Sequence, residues 1–153
     1  MRALALFLLA APAWAETPQQ TTATYDNWTV VCQGPACEAV TRLNVKGQDG
    51  QLRPLLSMSF ASGQSLRLQL PLGVDLTAAP EVRTDPPTAL RWKTCVAAGC
   101  LAEAVLEPAT VKQMTAKLEE VVVRFVALGP EAGKTIEVPV SLKGFGDAVK
   151  SLK

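Results

Sequence analysis

The sequence of 153 residues contains no histidine, and only 5% of its residues are aromatic. Without an imidazole, the chain cannot form a Ser-His-Asp or Cys-His catalytic group or a histidine zinc site, and it lacks the usual side-chain switch near neutral pH. Charge is also balanced, with 15 Lys and Arg against 14 Asp and Glu. A formal charge of +1 does not supply the clustered positive charge that binds nucleic acid, so we expect no nucleic-acid partner.

The amino terminus has the pattern of an export signal. An uncharged apolar run, Ala3 to Ala11, follows the positive Met1-Arg2. Pro12 ends this run, and Ala13-Trp14-Ala15 is an A-x-A cleavage signal. The pattern predicts a cleaved signal peptide at residues 1–15, and the polar segment after it disfavours the alternative of a buried amino-terminal helix. The run is far shorter than the ~20 residues that span a bilayer, and no later segment qualifies, so we expect no transmembrane segment.

The predicted mature chain starts with a polar stretch. Residues 16–24 are expected to form a flexible tail, and residues 25–153 a single domain. We expect the product in the periplasm or outside the cell, including the surface of the outer membrane. Such a location is oxidising and allows disulfide bonds.

The cysteines form two pairs of equal spacing, Cys32 with Cys37 and Cys95 with Cys100. Turn-forming residues lie within each pair, and strand-like sequence flanks it. Two hairpins with four-residue loops would place the members of each pair opposite each other at disulfide distance. The predicted disulfides are therefore Cys32–Cys37 and Cys95–Cys100. A zinc site of four thiolates and a redox-active pair are the alternatives, and neither has its usual C-x-x-C spacing here.

The rest of the sequence reads as short strands separated by turns. Ser65 to Leu70 alternates strictly between apolar and polar residues. Leu118 to Leu128 is the longest β-branched run and is predicted to be a central strand. Thr135 to Leu142 contains Pro139, which predicts an edge or a bulge. Eight or nine such strands predict an all-β fold, a two-sheet antiparallel β-sandwich.

Two segments have helical spacing instead. Pro108 to Ala116 begins with proline and is predicted to be a short helix. Phe145, Val149 and Leu152 recur at i, i+4 and i+7, which predicts a second short helix packed on the sandwich.

The residues do not combine into a recognisable catalytic constellation. Adjacent Glu119 and Glu120 would point to opposite faces of a strand. Ser141 and Lys143 would share a strand face, but this Ser-Lys spacing is common by chance. Other carboxylates are interpreted as surface or turn residues: Asp75, Asp85, Glu103 and Glu107. We predict no catalytic residue, no cofactor and no metal site.

The remaining polar and aromatic candidates also have structural interpretations. Trp28 and Trp92 are expected to pack in the core or against a disulfide rather than to form a ligand platform. Asn27-Trp28-Thr29 matches a glycosylation acceptor, but the short bacterial-style leader disfavours modification. The basic residues are scattered, as on a solvated sheet face, with a small anion-binding patch as the alternative: Arg67, Arg83, Arg91, Lys93, Arg124 and Lys143.

Four segments together resemble a known family. They are, in order, Trp28-Thr29-Val30-Val31-Cys32, Leu70-Pro71-Leu72-Gly73-Val74, Cys95-x4-Cys100 with Gly99, and Val138-Pro139-Val140-Ser141-Leu142-Lys143-Gly144-Phe145. Each is weak alone, but this order resembles the invasion-associated locus B family over nearly the whole mature chain. The resemblance implies an exported bacterial protein with an immunoglobulin-like β-sandwich, and it supplies no catalytic residue or cofactor. The family is named for a role in host-cell invasion, yet members also occur in bacteria that invade nothing.

These observations favour a non-enzymatic, disulfide-stabilised binding module of the cell envelope. Its expected partner is a protein or another envelope component of unknown identity, and the oligomeric state is not predicted. The alternative is a structural or stress-protective envelope protein with no role in invasion. A hydrolase using Ser141 or Asp85 is a third hypothesis.

The predicted leader can be tested by its processing. Replacing Ala15 with leucine should block cleavage before Glu16, because the signal requires small residues at this position. The matched Ala11→Leu change, within the apolar run, should leave cleavage intact. Intact-mass measurement of the protein from fractionated cells checks both, and an unchanged mature mass in Ala15→Leu would contradict the predicted site.

Overall fold

The computed structural model describes residues 20–129 and 133–152, so the predicted signal peptide lies outside the described residues. These residues form eleven strands and two short helices. The strands are β1 (Gln20–Tyr25), β2 (Trp28–Gln33), β3 (Ala36–Lys46), β4 (Leu52–Ala61), β5 (Ser65–Leu70), β6 (Glu81–Val82), β7 (Thr88–Ala89), β8 (Arg91–Val96), β9 (Gly99–Val105), β10 (Glu120–Ala127) and β11 (Lys134–Ser141). The helices are α1 (Pro108–Ala116) and α2 (Phe145–Lys150).

The strands form two antiparallel sheets. The larger has the order β1-β2-β3-β4-β5-β9-β8, and the smaller has the order β11-β10-β6-β7. Five consecutive strands of the larger sheet are thus joined as a meander. The predicted all-β sandwich is confirmed, and β11, which contains Pro139, is an edge strand as its sequence predicts.

Alternation along the strands builds the core. In β5, Leu66, Leu68 and Leu70 are buried, whereas Arg67 is exposed. In β10, Val121, Val123 and Phe125 are buried in the same way. Because successive side chains of a strand point to opposite faces, each sheet presents one apolar face, and the buried residues of both sheets belong to a single cluster.

An aromatic group closes one end of the core. Trp28 and Phe145 are fully buried, with ring centroids 4.6 Å apart. Phe60 meets the Phe145 ring edge-on at 5.6 Å. Such pairs add about 0.5–1.5 kcal/mol beyond the area they bury. They also place α2, which begins at Phe145, against the strands that carry Trp28 and Phe60.

The predicted flexible tail is wrong for residues 20–24. These residues form most of β1, which pairs with β2 over six residues, from Gln20 opposite Gln33 to Tyr25 opposite Trp28. The polarity of the segment suggested a tail, but β-branched threonines are good strand formers at a solvated edge. A two-residue turn at Asp26 and Asn27 closes the hairpin, with Asp26 at φ +48°.

Backbone contacts join the sheets at two places, which we call ties. The first tie is formed by residues 141–144, at the end of β11, and residues 25–28 of the first hairpin. The indole Nε1 of Trp28 donates to the carbonyl of Ser141 at 3.0 Å, and the amide of Asn27 donates to the carbonyl of Lys143 at 3.3 Å. Gly144 has φ +85°, and a Cβ there would lie 2.0 Å from the carbonyl oxygen of Tyr25. The chain that leaves the smaller sheet therefore lies directly against the first hairpin of the larger sheet, at a position that only glycine fits.

The second tie is formed by residues 73–75, where the chain crosses from β5 to the smaller sheet, and residues 126–128 at the end of β10. Leu70 pairs with Cys100 in the larger sheet, and Val74 bridges Ala127 at the end of β10. The amide of Leu128 donates to the carbonyl of Gly73 at 2.6 Å. A Cβ at Gly99 would lie 2.3 Å from the carbonyl oxygen of Leu70. The Gly99 contact lies within the larger sheet, whereas Gly73 and Val74 join the chain that leaves β5 to the end of β10.

The first tie makes a quantitative prediction. Gly144→Ala should lower the free energy of unfolding by more than about 3 kcal/mol, since the methyl group overlaps a backbone carbonyl that cannot move alone. Gly63→Ala is the matched control, because its φ of +81° is similar and nothing lies within 4 Å of the new Cβ. That control should lose only about 1 kcal/mol, the cost of the left-handed conformation. Equal losses in chemical denaturation would contradict the proposed overlap.

Candidate functional site

The two predicted disulfides are present in the structure, Cys32–Cys37 and Cys95–Cys100. The paired Cα atoms are 4.0 and 3.9 Å apart. The expected four-residue loops are wrong, because each hairpin closes by a two-residue turn, with Gln33 opposite Ala36 and Val96 opposite Gly99. The cysteines are thus the second residue pair of each ladder, a non-hydrogen-bonded position where antiparallel strands approach most closely.

With both bonds formed, no cysteine of the chain is free. The alternatives of a four-thiolate zinc site and a redox-active dithiol therefore have no thiol in this state. In the described residues, no three side chains among His, Cys, Asp and Glu come together in a way that could hold a metal ion.

The hypothetical Ser-Lys pair is not assembled. Lys143 Nζ lies 3.2 Å from Asp26 Oδ1, in an ion pair across the first tie. The hydroxyl oxygen of Ser141 accepts a hydrogen bond from the backbone amide of Lys143 at 3.2 Å. The lysine ammonium is thus directed to a carboxylate rather than to the serine, so Lys143 is not positioned as a base for Ser141.

The carboxylates singled out in the sequence lie apart. Glu103 forms ion pairs with Arg67 at 2.9 Å and with Lys93 at 3.7 Å. Asp75 accepts hydrogen bonds from the hydroxyl and the amide of Thr77, and these hold the pKa of its carboxyl below the usual value. Asp75 is therefore a turn residue, as expected. The backbone amide of Asp85 is bonded to the side chain of Gln113 on α1.

The two tryptophans of the described residues, Trp28 and Trp92, have structural contacts. Trp28 is fully buried in the aromatic group described above. Trp92 is half-buried, and its Nε1 donates to the carbonyl of Ala78 at 2.9 Å, in the segment that crosses between the sheets. Both indole N–H groups are therefore used to hold connecting chain in place.

The four sheet edges of the described chain differ in how they are protected. β8 carries Arg91 and Lys93 and has an irregularity in its register between Trp92 and Thr94. β11 carries Pro139, and β7 has only two residues. Bulges, charged residues, proline and short length all prevent further strand addition. β1 has none of these features: its sequence QTTATY is uncharged, and its pairing with β2 is regular.

The free edge of β1 has a defined hydrogen-bonding pattern. Tyr25 and Trp28 flank a two-residue turn, so they form a hydrogen-bonded pair, and such pairs alternate along the hairpin. The amide and carbonyl groups of Thr22 and Thr24 therefore point away from β2. The larger sheet ends at β1 in the described chain, so these groups face outward and are available to another strand.

A polar hollow lies on the outer face of the larger sheet, with a volume of about 260 Å³. Ser57 and Ser59 of β4 lie between larger side chains there. Arg42 on β3 is the register partner of Ser57, and Arg67 on β5 is that of Ser59. Glu38 also lines the hollow.

An apolar cavity of about 350 Å³ lies at the end of the sandwich near α1 and α2. Phe60, Val111 and Val149 contribute to its lining. Lys150 is at its rim, but its ammonium is paired with Asp147 at 3.0 Å.

The comparison with known families is decisive at this point. The profile of the invasion associated locus B (IalB) protein family matches residues 28–153. The chain belongs to the invasion associated locus B family. The crystal structure of invasion associated protein B from Bartonella henselae is similar, with a TM-score of 0.70 and 20% sequence identity over 86% of this chain and 95% of that chain. No curated protein sequence gives a significant match.

The segments by which the invasion associated locus B family is recognised meet in pairs. The first segment, containing Trp28, lies against the last, containing Ser141 and Gly144. The second, containing Leu70, lies against the third, containing Gly99. The first and last segments thus meet between the sheets, and the second and third meet within the larger sheet. No helix of the described residues is long and apolar enough to cross a membrane.

Sequence reasoning missed both candidate surfaces. The edge of β1 is carried by threonines within a segment interpreted as a tail, and only their β-branched character could have indicated a strand. The hollow depends on Arg42, which was not among the basic residues singled out. The alternation of Ser57 and Ser59 with buried residues is typical of a polar strand face, but it does not show which residues of β3 and β5 are their register partners.

The disulfides should contribute separately to stability. Replacing both cysteines of either bond with alanine should lower the free energy of unfolding by about 2 kcal/mol, because each closes a short loop. Cys37 and Cys100 are three strands apart in the sheet, so the losses should add in the four-cysteine variant. Urea denaturation checks this, and a loss in that variant no larger than in a single-bond variant would contradict it.

Proposed function

We propose that this chain is an exported, non-enzymatic interaction module that binds an extended, uncharged segment of another envelope protein along the free edge of β1. The observation that carries this proposal is the contrast between β1 and the other edges of the described chain. A partner segment would add an eighth strand to the larger sheet, with main-chain hydrogen bonds to Thr22 and Thr24.

β1 is already held as a strand in a fixed register before a partner binds. β1 pairs with β2 along its whole length, and Thr21 is the register partner of Cys32. The disulfide from Cys32 to Cys37 fixes β2 against β3, which holds the ribbon behind β1 in one register. A preformed edge reduces the ordering cost of binding.

The chemistry of the edge indicates the class of partner. The side chains of β1 are neutral, with no lysine or glutamate to attract or repel a charged segment. Threonines favour opposite threonines, serines and other β-branched residues in a neighbouring strand. We therefore expect a partner segment that alternates small polar or β-branched residues.

Export is supported by the oxidised cysteines. All four form disulfides, which persist in the periplasm and outside the cell and are rare in the reducing cytosol. Together with the signal pattern of residues 1–15, this supports a periplasmic or secreted location, including the surface of the outer membrane.

The edge can be tested by blocking it. Thr22→Pro removes one outward amide without touching the bonds to β2, a position where edge strands tolerate proline. Thr22→Val keeps the amide and is the matched control. With a photo-crosslinking residue at position 24 in living cells, we expect adducts to an envelope protein in the control, and their loss in Thr22→Pro.

Circular dichroism and thermal unfolding of both purified variants establish that they are folded. Adducts that persist unchanged in folded Thr22→Pro would contradict binding along the edge. Adducts only to a second copy of the chain would replace the proposed partner with self-association.

A further inference from the structure

The hollow on the larger sheet has hydrogen-bond donors that the protein does not use. The hydroxyl groups of Ser57 and Ser59 have no hydrogen-bond partner in the described chain, although both side chains are half-buried. Their register partners, Arg42 and Arg67, lie on the two flanking strands. The two serines thus lie on the middle strand of the hollow, with one arginine on each flanking strand.

The positive charge of the hollow is incompletely neutralised. Arg67 Nε is bonded to Glu103 at 2.9 Å, which leaves its terminal nitrogens for another acceptor. Arg42 is exposed and has no ion-pair partner among the described residues. On the outer face of the smaller sheet, by contrast, Arg83 is paired with Glu137, and Arg124 lies within 4 Å of both Glu81 and Glu137. The unpaired guanidinium is therefore not a general feature of the outer faces.

The dimensions suit a small oxyanion. Neighbouring strands are about 4.8 Å apart, so the backbones of β3 and β5 are separated by about 10 Å across β4. Both arginines line the hollow from the strands that flank the serines, and Arg67 Nε is directed to Glu103 on β9. The side-chain amide of Gln69 donates one hydrogen bond to the carbonyl of Ala98 at 2.8 Å, which directs it toward the turn between β8 and β9.

We propose that this hollow is a binding site for a phosphate-type oxyanion, held between the guanidinium groups of Arg42 and Arg67 over the hydroxyls of Ser57 and Ser59. Planar guanidinium groups match the geometry of phosphate oxygens and form charge-assisted hydrogen bonds to them. The phosphate can be free, part of a phosphorylated sugar, or part of a lipid headgroup. The site is separate from the edge of β1, so it does not depend on the interaction proposed above.

Glu38 provides a way to distinguish an anionic ligand from a neutral one. It lines the same hollow and has no ion-pair partner among the described residues. Its carboxylate repels an oxyanion but would accept hydrogen bonds from a neutral sugar. Glu38→Gln should therefore tighten binding of an anion and weaken binding of a neutral sugar.

The test is a titration of the full mature chain with inorganic phosphate, followed by NMR amide shifts. We expect saturable shifts at β4, a loss of affinity of about tenfold in Arg42→Gln, and a gain of about threefold in Glu38→Gln. Arg53→Gln is the matched control, because it removes the same charge from an exposed arginine paired with Asp49. It should change the affinity by less than about twofold.

Two further ligands distinguish the sources of phosphate. Glucose 6-phosphate binding more tightly than inorganic phosphate identifies a phosphorylated sugar, with glucose as the neutral control. Co-sedimentation with phosphatidic acid vesicles, but not with phosphatidylcholine vesicles, identifies a lipid headgroup. Preference for neither leaves free phosphate as the ligand.

Three results would overturn the proposal. They are absence of saturable shifts at β4, equal losses in Arg42→Gln and Arg53→Gln, and weaker phosphate binding in Glu38→Gln. The first shows that no site exists, the second shows a general charge effect, and the third shows that Glu38 is not a repulsive neighbour. Folding of each variant is confirmed by its amide spectrum.

Discussion

The close approach of backbone to backbone at two glycines is the constraint on which the rest of the structure depends. At Gly144 and at Gly99, a carbonyl oxygen of another segment occupies the space where any other residue has its Cβ. The Gly144 contact lies between the sheets, and the Gly99 contact lies within the larger sheet, at the end of β5 where the chain leaves for the smaller sheet. The buried apolar faces drive the sheets together, but these contacts and the hydrogen bonds beside them determine how the sheets are placed.

Because the sheets are held together at these places, their other surfaces are free for interaction. The edge of β1 belongs to the hairpin that meets Gly144, and it is supported from behind by the Cys32–Cys37 bond. The hollow over Ser57 and Ser59 lies on the outer face, away from the core. The invasion associated locus B motifs thus describe a scaffold, while the candidate binding groups lie in residues outside those motifs.

Much of the fold could be predicted because its signals are local. Proline and helical spacing predicted α1 from Pro108, and Pro139 predicted an edge strand. Cysteine spacing within each hairpin predicted both disulfides. The candidate surfaces could not be predicted, because they depend on register between distant strands. That Arg42 lies opposite Ser57 depends on a register shift between Leu43 and Asn44 as well as on the hairpin, and the sequence does not show the shift.

Native-state hydrogen exchange tests the central claim most directly. The amides of Asn27, Asp75 and Leu128 donate across the two ties, to Lys143, Val126 and Gly73. If the ties hold the sheets together, these amides should exchange only through global unfolding, with the same free energy of opening as the amides of the central strand β4. Exchange of the tie amides at the rate of open turns, while β4 remains protected, would contradict the account.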